Sequence, residues 1–561
     1  DPNGSFQSIN RRYDIVYGDV MLNFNYNINR FDIAATVGWT GRYENMNNIR
    51  VSTNGGLVTE NWFDLNASRY TPSSTLQRME LLKTGYMGTL SLGWDNYLFL
   101  ELTGRQERSS TLKDQSFFYP SANLSFLFTQ AFHMPSWWNY GKLRLSYGIV
   151  GNAPETYTAN IVYEQGSDNG FTWNTIPSSW GNADIRPEKK YEYEIGLESK
   201  FLNNRLGIDV SYYNNRVKDQ ILSTPQPSTS GVKNVLMNVG EVANHGWDIS
   251  ISATPILTRD FRWDLTANYG VYKNKVVKLA DGVPYLEILN SGGSGIKIQA
   301  VEGQPMGDIY AQVPQVNENG EYLVSDKGLY LNQTELQKVG NINPAGVGGL
   351  FNSFSYKNVF LDFSIDFRIG GDVINEMNQY ATAVGLTPES LKYRDTEHGG
   401  LSYYYPGDNS SSGIPVQVDP STGVGPNGEI IYHDGIILPG VVASTGERNT
   451  RIIPAGYYYN TTYNWGTEAE QLTYRHSVFD NSYVKLRELT IGYQFPEKMI
   501  SKLGLGRLSV SVFGRNLFYF YKALKNYDAE SSVGTSWANQ ATVGSSTTAT
   551  RSFGVSLRAS F

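Results

Sequence analysis

The sequence contains no cysteine, and that absence removes disulfides, thiolate metal sites and cysteine nucleophiles together. No stretch approaches the roughly 20 unbroken apolar residues that a membrane-spanning helix needs, and the mean hydropathy is −0.37. Charged residues are scarce at 18%, and a net charge of −7 argues against nucleic acid as a partner. The five histidines (His133, His245, His398, His433, His476) are scattered without H-x-x-x-H spacing, so no zinc site is expected. Asp1-Pro2-Asn3-Gly4 is polar loop sequence rather than a secretory signal, and the start of the protein is expected elsewhere.

What is present is aromatic and turn-rich: 39 Tyr, 25 Phe, 11 Trp and 56 Gly among 561 residues. Tyr, Phe and Trp suit pleated surfaces and membrane interfaces, and glycine suits tight turns and bends. A length of 561 residues accommodates several soluble domains or one large barrel. Low average hydropathy leaves the barrel open, because its strands alternate apolar and polar side chains.

The last eleven residues show that alternation most cleanly. Phe553, Val555, Leu557, Ala559 and Phe561 share one face of an extended strand, and Ser552, Gly554, Ser556, Arg558 and Ser560 share the other. Alone, this pattern fits the terminal strand of a sandwich as well as the closing strand of a barrel. It recurs along the chain. Val20 to Ile28 and Phe31 to Trp39 flank a turn at Arg30, and Leu90 to Trp94 and Leu98 to Leu102 flank Asp95-Asn96. Further strands are expected at 123–128, 143–149, 191–197, 206–212, 247–251, 261–269, 351–356, 359–367, 489–495 and 508–518, with a short helical segment at Glu497–Leu503. About fifteen strands result.

The connections separate the two architectures. Tight turns around Arg30, Asp95-Asn96, Asn203-Asn204, Lys357-Asn358 and Gly504–Arg507 alternate with long loops. The long ones are expected at Thr40–Thr84, Gly151–Glu188, Val217–Val242, Lys273–Gly348, Gly370–Asp480 and Phe520–Arg551. Short periplasmic turns opposite long extracellular loops are the habit of outer-membrane barrels. The fold class is therefore read as all-β, an antiparallel transmembrane β-barrel whose apolar face meets lipid. Single-chain bacterial barrels have even strand numbers. An odd count near fifteen predicts the carboxy-terminal part of a longer barrel, broken inside an extracellular loop. If the whole has about 22 strands, about seven strands and a plug domain lie outside residues 1–561.

Several motifs resemble SusC/RagA-type TonB-dependent outer-membrane transporters of the Bacteroidetes. They are Phe118-Tyr119-Pro120-Ser121 with Lys142 to Gly148 and Gly151-Asn152; Pro187-Glu188 with Glu194 to Leu197; and Tyr212-Tyr213 with Lys218-Asp219. Asn238-Val239-Gly240-Glu241 with Asn244-His245-Gly246-Trp247-Asp248 follows the family pattern except that Asp248 stands where Glu is usual. Asn343-Pro344, Gly348-Gly349-Leu350, Arg368 to Asp372, Tyr483 to Tyr493 and Gly514 to Phe518 match further blocks. Tyr527-Asp528-Ala529-Glu530 departs from the family's YDPE at Ala529. The resemblance runs from about Asp14 onward and implies active import of glycans or peptides in the outer membrane. It implies as partners a SusD-like surface lipoprotein as lid, TonB acting through a plug, the remainder of the same transporter, outer-membrane lipid and an oligosaccharide or peptide substrate. It also implies that Phe561 is the signal for barrel assembly. A passive porin or structural barrel is the alternative, and a surface enzyme or adhesin on a barrel is a second rival.

No catalytic, cofactor or metal site is expected. His433-Asp434 has no serine elbow beside it, so it reads as a polar loop pair. Asn317 to Glu321 resembles a calcium loop faintly but lacks its closing Glu, and a glycine turn explains it better. Asp366, Arg368, Asp372 and Arg394-Asp395 read as lumen or loop ion pairs. The candidates for substrate contact are Tyr403, Tyr404, Tyr405, Tyr457, Tyr458 and Tyr459. Exposed aromatics stack on sugar rings or pack on peptide side chains; the same runs also suit loop cores or the face of a lid protein.

Overall fold

A computed structural model of the chain describes residues 4–113, 116–168, 171–225, 229, 231–291, 295–464, 473–532, 534, 536–544 and 549–561. Fifteen strands form one sheet in strict chain order. They are β1 (Gln7–Ile28), β2 (Phe31–Leu57), β3 (Ser68–Trp94), β4 (Leu98–Ser109) and β5 (Ser116–Phe126). β6 (Trp138–Asn152), β7 (Glu188–Phe201), β8 (Leu206–Lys218), β9 (Glu241–Leu257) and β10 (Phe261–Lys278) follow. The last five are β11 (Gly346–Tyr356), β12 (Val359–Ile369), β13 (Tyr483–Gln494), β14 (Arg507–Lys522) and β15 (Ser552–Ser560). The chain divides into two compact units, Asp1–Trp247 with Asn274–Pro284, and Asp248–Lys273 with Tyr285–Phe561.

In the first unit the antiparallel registers bring apolar positions together strand after strand. Val37 faces Leu22 on β1, Ile33 faces Leu92 on β3, Leu92 faces Leu100, Leu124 faces Leu145, and Leu145 faces Ile195. The result is an apolar band that points outward: Val20, Leu22, Phe24 and Tyr26 are all about 60% exposed. An exposed apolar surface of this extent is incompatible with water and fits the hydrocarbon core of a bilayer. The second unit repeats the arrangement through Leu361, Ile491, Val512 and Val555, paired in turn from β12 to β15. Asn352 interrupts its apolar face, and its Oδ1 accepts a hydrogen bond from Trp263 Nε1 at 3.1 Å. Gly348 lies between Tyr269 and Phe367, whose rings stack across it at 6.2 Å. A Cβ there would come within 2.5 Å of the Asn268 carbonyl, so glycine is required. No helix among the described residues is long and apolar enough to cross a membrane.

The short turns use left-handed backbone at residues that tolerate it. Asn29, Asp95, Asn96, Asn203 and Asn204 all have φ between 52° and 62°. Beside these turns the first unit carries a run of ring contacts: Phe31 with Trp94, Trp94 with Tyr97, Tyr97 with Phe126, and Phe126 with Phe132. A second run joins Phe128, Trp138, Trp137 and Phe201. Aromatic rings in such a row mark a membrane–water interface.

The opposite ends of the strands differ between the units. The long loop expected at Thr40–Thr84 is mostly strand: β2 and β3 stay paired from Gly41–Thr84 to Ser52–Ser73, and β1 begins at Gln7 rather than near Val20. Each of β2 and β3 has 27 residues, where a membrane crossing needs about 9–11. Beyond the bilayer neither face meets lipid, so Arg42 to Arg50 lose the apolar alternation by which a strand is recognised. In the second unit the loops fold on themselves. A four-stranded sheet joins Tyr285–Ser291, Ile296–Val301, Asp308–Ala311 and Gln337–Asn341. Another joins Leu401–Tyr404, Val416–Gln417, Ile431–Ile436 and Ile453–Pro454. Two helices, Glu376–Ala383 and Ala455–Tyr463, complete the layer. Ile296, Ile298, Ile309 and Ile374 are closed to solvent in its main core. The helical segment expected at Glu497–Leu503 is present as one α-turn followed by a 3₁₀ turn.

Candidate functional site

Where β13 enters the sheet, its ladder to β14 slips twice, between Val484 and Lys485 and between Leu486 and Glu488. Such bulges re-aim side chains. Lys485, almost fully buried, and Arg487 both reach the carboxylate of Glu530. Lys485 Nζ donates at 2.6 Å, Arg487 Nη1 at 2.8 Å and Arg487 Nη2 at 2.6 Å. Arg487 also pairs with Asp366 and donates to Asn516 Oδ1. Burial pushes the Glu530 carboxyl up, but the bonds from Arg487 and Lys485 outweigh it and hold the group down at about 2. The rest of the motif has equally specific partners. Lys522 donates to the Tyr527 carbonyl, Tyr519 to Asp528 Oδ1, and Asn481 Nδ2 to the Ala529 carbonyl. Tyr527-Asp528-Ala529-Glu530 is thus a clamp fixing the loop before β15 to the wall of the sheet, and Ala529 serves through its carbonyl and a buried methyl.

Ala523 to Asn526, just ahead of the clamp, form one wall of a cleft of about 440 Å³ in the loop layer. The opposite wall is the helix Glu376–Ala383, started by Asn375, whose Oδ1 accepts from the Asn378 N–H at 3.0 Å. Ala383, Ala455, Tyr459 and Tyr463 pack the two helices together, and Tyr459 Oη donates to the Glu389 carbonyl at 2.7 Å. Tyr463 carries His476 stacked on its ring, 4.4 Å between centroids and 17° between planes. Burial, and after it the neighbouring Arg475 charge, depress the His476 imidazole to about 4, so it is neutral at ordinary pH. Neither of its ring nitrogens has a hydrogen-bond partner among the described residues. Asn526 Nδ2 donates to Asn378 Oδ1 at 3.2 Å and links the two walls.

The tyrosines proposed from the sequence lie elsewhere in this layer. Tyr403 (1% exposed) and Tyr405 are buried against each other and Ile452, and Tyr459 is buried in the helix pair. Tyr404, Tyr457 and Tyr458 are half-buried. Burial raises the phenols of Tyr403, Tyr459 and Tyr463, and takes Tyr458 to about 12. His433 Nδ1 meets Ser402 Oγ at 2.8 Å, a contact that only the pairing of two loop strands creates. Asp434 is turned to Tyr403 Oη at 3.1 Å and supports no triad. Asn317 closes its own turn, its Oδ1 accepting from the Asn319 and Glu321 amides, with Gly320 at φ +79°. Of the expected ion pairs Asp366 finds Arg487, whereas Arg368 donates to the Ile342 and Gly370 carbonyls. Asp372 accepts from the Asn341 N–H, and Arg394 donates to the Ser390 carbonyl. Asp395 instead pairs with His398. His476 escaped the sequence reading because a lone histidine carries no spacing signal.

Residues 1–309 match the profile of a family described as TonB dependent receptor-like, beta-barrel. The chain is 24% identical over 494 residues to the TonB-dependent receptor P3 of Formosa agariphila, covering 80% of this chain and 42% of that one. It is 30% identical over 247 residues to the TonB-dependent receptor SusC of Bacteroides thetaiotaomicron, covering 40% and 24% respectively. The chain therefore spans less than half the length of either curated relative. Its backbone is similar to a chain from a structure of the RagAB peptide transporter, with a TM-score of 0.66 at 19% identity, covering 93% of this chain and 54% of that one. At that identity the likeness speaks for the fold.

Proposed function

The chain belongs to the TonB dependent receptor-like β-barrel family, and from that premise we propose that it is of the SusC/RagA type and takes part in active import of oligomeric nutrients, glycan or peptide. It is an outer-membrane β-barrel protein of the Bacteroidetes type. The observation that carries the reading is the cored loop layer of the second unit, with its amphipathic cleft. A passive pore needs an open mouth; a receptor needs a shaped, preorganised one. The partners in this reading are a SusD-like lipoprotein as lid and TonB acting through a plug. In this reading the chain belongs to a transporter, as the family match and the curated receptor relatives suggest.

In the same reading the chain is part of a longer barrel of about 22 strands. Among the described residues β1 pairs only with β2, and β15 only with β14, so each offers a backbone edge. Hydrocarbon tolerates no unpaired strand edge, and further strands of the same transporter would satisfy both. The test is uptake of defined oligosaccharides and peptides by the parent strain and a deletion strain. We expect uptake to be lost on deletion and on collapse of the proton-motive force. Uptake that survives collapse of that force would overturn active import in favour of a passive pore.

A further inference from the structure

We propose that the loop cleft bounded by Tyr463, His476, Phe479, Asn378, Glu389 and Asn526 is a subsite for one sugar ring, so that the cargo is a glycan rather than a peptide. This inference rests on the import reading above and specifies it. Three features of the cleft converge.

The first is volume. About 440 Å³ lies within the roughly 300–1,000 Å³ of small-molecule sites. The second is the aromatic wall. His476 is held flat against Tyr463, and Phe479 is half-buried at the same cleft, giving preordered ring surface of the kind that stacks on the C–H face of a pyranose. The third is the pairing of free hydrogen-bonding atoms. A neutral imidazole presents one donor and one acceptor, and neither ring nitrogen of His476 has a partner among the described residues. The Asn526–Asn378 bond consumes one donor and one acceptor, leaving Asn378 Nδ2 to donate and Asn526 Oδ1 to accept. Each pair offers donor and acceptor together, and a hydroxyl group answers both at once.

A peptide asks for something different. Its backbone is recognised by rows of main-chain N–H and C=O groups on a strand edge, and its termini by charge. The cleft wall contributed by Glu376–Ala383 is helical, with its backbone groups bonded internally, and contributes side chains instead. Charge sits at the exposed rim, where Glu389 pairs with Lys392 at 2.9 Å and Lys525 faces solvent, and none of the buried lining is charged.

The experiment uses the whole transporter complex purified from outer membranes in detergent. Binding is titrated calorimetrically with neutral gluco-, manno-, xylo- and galacto-oligosaccharides and with a tryptic peptide mixture, and uptake of the same probes is followed in cells. We expect at least one oligosaccharide to bind, and His476→Leu and Asn526→Ala each to weaken it by about tenfold or more without shifting the thermal unfolding of the complex. Asn526 is exposed, so its variant carries the test if His476→Leu fails to fold. Saccharide binding indifferent to both substitutions overturns the subsite, as does binding of no oligosaccharide. Import of peptides alone overturns the glycan assignment while leaving active import standing. Energy-independent uptake, or uptake of neither class, overturns the import reading itself.

Discussion

The two units leave the same kind of sheet in opposite ways. In the first, β2 and β3 simply continue beyond the bilayer, 27 residues each, as a ladder with lipid on neither face. In the second, the chain between β12 and β13 abandons the ladder and folds small sheets and two helices around closed cores. A prolonged ladder is stabilised by main-chain bonds and tolerates almost any side chain. A folded loop depends on particular buried groups and in return can hold a cleft of fixed shape. Binding chemistry is accordingly expected in the second unit, with the first supplying reach.

The sharpest way to break this contrast is a cavity. Ile298→Ala, at a fully buried position, should cost about 4 kcal/mol in the loop layer. Hydrogen exchange should then rise across residues 285–345 while β11 to β15 stay protected. Glu530→Gln comes next, since it leaves Lys485 and Arg487 facing a neutral amide. Allowing for the partial exposure of Glu530, a loss of about 3 kcal/mol is expected, read as earlier thermal unfolding and faster exchange over residues 523–544.

Acid should separate two parts of the layer. The His476 pKa, about 4 when folded, lies below the ordinary imidazole value of about 6.5. The unfolded loop therefore takes up its proton first, and this contribution is complete above about pH 6.5 and is lost as the pH falls toward 4. Glu530 is depressed to about 2, so its clamp persists at pH 4 and fails only on further acidification. Hydrogen exchange, normalised to the intrinsic rate at each pH step, should rise in the helix pair before the segment preceding β15. Loss in the reverse order would refute the assignment. The smallest effect belongs to the first unit: Leu76→Ser, half-exposed on β3, should change stability by no more than about 0.5 kcal/mol. If Leu76→Ser and Ile298→Ala proved equal in the same exchange experiment, the contrast between the units would be void.

How much of this was legible in the sequence follows the same division. All fifteen strands of the sheet could be read, because lipid on one face imposes a period of two that residues such as Leu90 to Trp94 display openly. The tight turns were legible for a related reason, since Asn29, Asp95 and Asn203 mark left-handed backbone. The outer halves of β2 and β3 carry no such signal, because without lipid on either face the alternation is erased. The loop cores left no trace, their strands being as short as two residues, as at Ile453–Pro454. Tyrosine gave an ambiguous signal at Tyr403 and Tyr459, since one ring serves equally as core filling or as ligand platform. The cleft could not be foreseen, because Asn378, His476 and Asn526 come from three separate segments joined only by folding.

The aromatic row beside the short turns of the first unit has a practical consequence. Trp94 lies in one run of ring contacts and Trp137 and Trp138 in a second, with partners from neighbouring hairpins. These indoles are built-in fluorophores beside the short turns, and Trp137 and Trp138, stacked 6.0 Å apart, are close enough to couple electronically. Lipids brominated at the matching carbon would quench these residues as the hairpins insert. A near-ultraviolet dichroism signal from the row would appear only after β6 and β7 have zipped in register. Insertion and strand pairing become two separately timed optical events, recorded without a label.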